Sequence, residues 1–167
     1  MRSLSIGLGL ILLSSGAEAD PRADRLRTGL RRMGDVRPEL IDDAVTAALG
    51  VETQRVSAEL LLSLAWWESR LEPDLRTGRV CGALQVRPED VGESNHRDAC
   101  HRWSQDTWLG FQAGADELEA WLRHSRGDMA RALRGRACGW SGLRHGCGKR
   151  WWVDRVRNTT RMLGGKA

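Results

Sequence analysis

The sequence has no tyrosine, a single phenylalanine and only two lysines, Lys149 and Lys166. Without tyrosine, no site in this chain can use a phenolic hydroxyl to hold or pass a proton. With so little lysine, the positive charge is almost all arginine, which stays ionised at any working pH. After the first twenty residues no apolar run approaches the ~18 residues that a membrane-spanning helix needs. Cysteine is sparse, with four residues. What remains is 41% hydrophobic and 29% charged, a balance that suits one folded domain rather than a disordered chain.

The net charge is +4. A mildly basic surface suits an acidic polymer such as a cell wall, and it suits nucleic acid equally. The arginines are dispersed and no nucleic-acid-binding motif is present, so no nucleic-acid partner is expected. The start of the chain reads as a secretory signal peptide over residues 1–19. Arg2 precedes a short apolar run, Leu4 to Leu13, and Ala17-Glu18-Ala19 offers a small-x-small cleavage site. The expected product is periplasmic or secreted, with cleavage near Ala19. Residues 20–37 are rich in Arg and read as a basic leader, a solvated linker ahead of a domain over 38–167.

Four cysteines in an exported chain point to two disulfides, with three pairings open. The local pairing, Cys81 with Cys100 and Cys138 with Cys147, is preferred because each bridge closes a short loop. Zinc is the rival reading, with His96, His101 and His145 nearby. The spacings match no zinc pattern, so no metal and no cofactor is expected.

The densest apolar stretch follows Ser57, a residue type that caps helix N-termini. Leu60, Leu61, Leu62, Leu64, Ala65, Trp66 and Trp67 predict a buried helix. Leu61, Leu64, Ala65 and Glu68 share one face, so Glu68 is placed inward in the last turn. The helix is expected to end near Leu71, ahead of Pro73. A carboxyl set among Trp and Leu at the negative end of a helix dipole is expected to hold its proton. Such a group can protonate a leaving oxygen.

Around this helix the periodicity predicts others. One starts at Pro38, carries Leu40, Ile41, Val45 and Ala48, and closes at Gly50. A long one runs from Ser104 to His124, a short one from Met129 to Leu133, and a last one from Lys149 to Leu163 with Trp152, Val153, Val156 and Met162 inward. Eight tryptophans stand against one phenylalanine. Trp66, Trp108 and Trp121 lie on apolar helical faces and read as core. Trp103, Trp140 and Trp151 read as loop or edge residues able to stack on sugar rings.

Glu68-Ser69, a loop, and then Gly82-Ala83-Leu84-Gln85-Val86-Arg87-Pro88 resemble the lytic transglycosylases of the lysozyme-like superfamily. There a buried helix ends in Glu-Ser and a Gly-Leu-Met-Gln-x-x-Pro-like segment follows. The resemblance implies a mainly α, lysozyme-like α+β fold, with a buried catalytic helix, a short loop/β region and several packing helices. It implies Glu68 as acid/base, and a sugar cleft lined by Gln85 with Ser69, Gly82 and Leu84. The implied substrate is peptidoglycan, cut between N-acetylmuramic acid and N-acetylglucosamine with formation of a 1,6-anhydro end. A monomer is expected, working in general wall turnover or beside a cell-envelope or secretion machine. Ala132-Leu133 and Gly139 fit a further family segment, Ala-Leu-x-x-Tyr-Asn-x-Gly. Arg136 and Ala137 stand where its Tyr and Asn would be, a departure that bears on any role the Tyr hydroxyl plays. Two other readings stand beside this one: a lysozyme-type hydrolase using a second carboxylate, and a non-catalytic wall-binding module.

Overall fold

Ser57 accepts a hydrogen bond from the Leu60 backbone N–H at 3.3 Å and so starts the central helix, α3, Ala58–Ser69. In the computed structural model, which describes residues 20–147 and 149–166 and the backbone alone of Trp140, every residue of α3 from Ala58 to Ala65 is buried. Leu61, Leu62 and Leu64 are wholly out of solvent, each contributing about 2 kcal/mol of burial. Residues 1–19, the expected signal peptide, lie outside the described residues.

The described residues are mainly helical, with a small two-stranded sheet. α1 (Pro21–Met33) and α2 (Pro38–Val51) pack together, and α2 packs on α3. β1 (Arg76–Thr77) and β2 (Val80–Cys81) pair antiparallel, Arg76 opposite Cys81 and Thr77 opposite Val80. A 3-10 turn, Pro88–Val91, leads to α4 (His96–Gln105) and α5 (Thr107–His124). α6 (Met129–Arg144) is broken by Gly139 at φ 67°, and α7 (Arg150–Met162) lies against α3.

Several expectations are corrected. The basic leader is α1, not a linker. Asp20 caps it, Pro21 occupies its first position, and Ala23, Leu26 and Leu30 form a buried stripe. The dense arginines hid that stripe: Arg22 reaches across to Glu59 and Glu52 instead of into water. Gly50 does not close α2, which continues to Val51. α3 does end near Leu71, at Ser69, because Arg70 and Leu71 turn into left-handed geometry at φ 59° and 69°. The predicted long helix from Ser104 is two helices. Asp106 ends α4 and caps α5 by accepting from Leu109 N–H at 3.3 Å. α6 runs well past Leu133. Trp108 is 45% exposed and Met162 72% exposed, so neither is core.

The cysteines pair as expected, Cys81 with Cys100 and Cys138 with Cys147, at Cα separations of 5.7 and 6.2 Å. The first ties β2 to α4; the second spans the end of α6 and the turn into α7. Two disulfides belong to an oxidising compartment. Among the described residues no helix is long and apolar enough to cross a membrane.

Candidate active site

Glu68 sits in the last turn of α3, on the wall of a cleft of about 350 Å³. Its side chain is 25% exposed. Gln85, Asp90, Glu117, Arg136 and Trp152 line the same cleft. The carboxyl expected to sit among Trp and Leu has a charged partner: Arg136 Nη1 donates to Glu68 Oε1 at 2.9 Å.

Arg136 comes from α6, at helical spacing from the buried Ala132 and Leu133, and therefore points inward. Its side chain is 4% exposed. Nε donates to Glu117 Oε2 at 2.9 Å, and Nη2 donates to the Leu84 carbonyl. Glu117 occupies the buried stripe of α5, one residue before Leu118. Burial pushes its carboxyl above the usual glutamate range, and the opposing pull of Arg136 does not cancel that rise. Arg136 is shifted upward in turn: burial opposes its charge, but the attraction of Glu117 and then Glu68 outweighs it. The trio thus holds one fixed positive charge between two carboxyl groups.

The loop after α3 supplies the opposite wall. Gly82 at φ 79° lets the chain reverse after β2, and Cys81 and Val86 exchange backbone hydrogen bonds at 3.0 Å. Gln85 is forced into left-handed geometry at φ 49°. Its side-chain amide donates to the carbonyls of Leu75 at 2.9 Å and Gly82 at 2.8 Å, which hold it at the cleft. Arg70, Leu71 and Gln85 are all non-glycine residues at positive φ flanking Glu68. Such geometry costs about 1–3 kcal/mol each and clusters where a surface must take a set shape.

The other expected site residues are placed differently. Ser69 is buried, and its hydroxyl lies 2.7 Å from the Ala83 carbonyl and 3.1 Å from that of Ala65. It pins the loop to the helix and does not line the cleft. Leu84 is fully buried against Gly114, and only its carbonyl serves the site. Gly82 shapes the turn and faces Trp103. Trp103 itself is core, 3% exposed, because it lies on the inner face of α4 rather than in a loop. The side chain of Trp140 lies outside the described residues. Sequence reasoning passed over Glu117 and Arg136 as functional residues. The available signal was a charged residue at a core position of an apolar helical stripe.

No family model, no curated protein and no solved structure matches this chain.

Proposed function

We propose that the chain is an exported peptidoglycan-cleaving enzyme of the lytic transglycosylase kind, with Glu68 as its acid/base. The observation that carries the reading is Glu68 at the end of a buried helix, opening with Gln85 onto one cleft. Glu68 protonates the oxygen linking N-acetylmuramic acid to N-acetylglucosamine. It then takes the proton of the muramoyl C6 hydroxyl as that oxygen closes on the anomeric carbon. The glycosidic bond breaks, a 1,6-anhydro ring forms, and the proton returns to the enzyme, so no water enters the balance.

Arg136 and Glu117 fit this chemistry. A guanidinium at 2.9 Å stabilises the carboxylate left behind when Glu68 gives up its proton. The same guanidinium, fixed by Glu117 and the Leu84 carbonyl, holds the Glu68 carboxyl in one place on the cleft wall. In this reading Arg136 takes over, by charge, the place that a tyrosine has in the resembling family. Turbidity clearing of purified walls tests the proposal: Glu68→Gln abolishes clearing, while Glu72→Gln, a flank residue outside the cleft, leaves it unchanged. Equal clearing by Glu68→Gln and the parent chain removes Glu68 from the chemistry.

A hydrolase is the second reading, supported by the additional carboxylates Asp90 and Glu117 on the same cleft. It differs in its product, which gains a water at the cut end. No clearing by any form of the chain supports a wall-binding module, in which the Arg136–Glu68 pair serves packing alone.

A further inference from the structure

Beside the cleft, α3 and α7 build a ladder of alternating tryptophans and arginines. The Arg70 guanidinium lies 4.0 Å from the Trp66 ring centroid and 5.6 Å from that of Trp67. Arg155 lies 5.1 Å from both Trp67 and Trp151. The order across the surface is Trp66, Arg70, Trp67, Arg155, Trp151. Two of the rings are fixed by their indole N–H groups, Trp66 to the Gly34 carbonyl at 3.2 Å and Trp67 to Thr159 Oγ1 at 3.0 Å. Their planes are set edge-on, 89° apart.

The two ends of the ladder differ. Arg70 is committed to Asp35 at 2.9 Å and to the Trp66 carbonyl. Arg155 is exposed and, among the described residues, makes no hydrogen bond or ion pair; its guanidinium meets only the two rings. Trp151 is 56% exposed. Trp67 immediately precedes Glu68, and Trp151 immediately precedes Trp152, which lines the cleft. The ladder and the cleft therefore draw on the same two helices, α3 and α7, at neighbouring residues.

We propose that the Arg155–Trp151 end of this ladder is a docking subsite for an acidic glycan strand, holding the part of the polymer that extends beyond the Glu68 cleft. This rests on the wall-directed reading above. Indole faces stack on the apolar faces of sugar rings, and a guanidinium takes carboxylates in a forked pair. Peptidoglycan offers both groups along one strand, pyranose rings and the carboxylates of its stem peptides. Arg155 is already held in place by its rings, so little side-chain freedom is lost when an anion arrives. A ladder that served only to clasp α7 to α3 has no need of an exposed outer indole and an unpaired cation.

The test is co-sedimentation of the full chain, Arg155→Gln and Trp151→Ala with purified peptidoglycan sacculi and, separately, with uncharged chitin. Both positions are exposed, and far-UV thermal melts verify that each variant folds. Arg155→Gln is expected to weaken sacculus binding about tenfold and leave chitin binding unchanged. Trp151→Ala is expected to weaken both. Undiminished sacculus binding by the two variants, no binding by the parent chain, or an equal loss on chitin for Arg155→Gln overturns the proposal. Ladder-dependent binding with no cleavage products contradicts the Glu68 chemistry and leaves the ladder standing. Cleavage with binding indifferent to both variants contradicts the ladder alone.

Discussion

Arg136 and Glu68 lie 68 residues apart in the chain and 2.9 Å apart in the fold. The same guanidinium meets Glu117 at an equal distance, so α3, α5 and α6 converge on one cation. A buried charge without a partner is expensive, and each member of this trio keeps the others from being one.

Removing the cation exposes that dependence. Arg136→Met is expected to lower the unfolding free energy by about 3–5 kcal/mol in urea titrations, because Glu117 is left buried and unpaired. Adding Glu117→Gln to Arg136→Met recovers part of the loss, since the buried carboxyl left without its partner is gone. Additive losses in the double variant contradict the coupling.

Stability carries a pH signature of Glu117. Its carboxyl is raised in the folded chain by burial. Between the ordinary glutamate value, about 4.3, and the raised folded value, the folded chain keeps a proton that the unfolded chain has lost. The stabilising contribution is therefore full below that window and declines as pH rises through it. Urea titrations at a series of pH values are expected to show Glu117→Gln gaining on the parent chain as pH increases from about 4. A difference between the two that is flat with pH contradicts the assignment.

Gly114 tests how tightly the loop is seated. A Cβ there would meet the Leu84 Cβ and Cγ at 3.0 Å, and neither atom can swing aside like a side-chain tip. Gly114→Ala is expected to cost about 1–3 kcal/mol. It also shifts the turn that carries Gln85, so wall clearing falls more than the melting temperature alone predicts. Unchanged stability and clearing show that the loop adapts.

The Cys81–Cys100 bridge closes a separation of 19 residues between β2 and α4. Cys81→Ser/Cys100→Ser is expected to lose about 2–4 kcal/mol and to loosen the Gly82–Gln85 turn. Hydrogen exchange at Val86 N–H, which bonds the Cys81 carbonyl at 3.0 Å, reports that loosening. Protection equal to the parent's argues that the β-bridge holds unaided.

The buried helix was legible because Leu60, Leu61, Leu62 and Leu64 run straight on into Ala65, Trp66 and Trp67, and Ser57 marks its start. The disulfides were legible because each joins near neighbours in sequence. α1 was not, since its stripe of Ala23, Leu26 and Leu30 is thin and its arginines find carboxylates on other elements. The break at Asp106 was hidden because aspartate is an ordinary surface residue until its side chain caps Leu109. Trp103 and Trp108 exchanged expected roles because α4 begins at His96 and turns Trp103 inward, while Trp108 falls on the outer side of α5. Helical spacing placed Glu68 inward and the resemblance pointed to Gln85, and the fold brings both to one cleft. Arg136 and Glu117 were not found, because a charge in a core stripe acquires meaning only when its partners, distant in sequence, are brought beside it.

The most direct measurement is mass spectrometry of the fragments released from peptidoglycan by the chain and by Glu68→Gln. The account predicts muramoyl ends lighter by one water than hydrolysed ends from the parent chain, and no fragments from the variant. Hydrated ends, or fragments released equally by both proteins, contradict it.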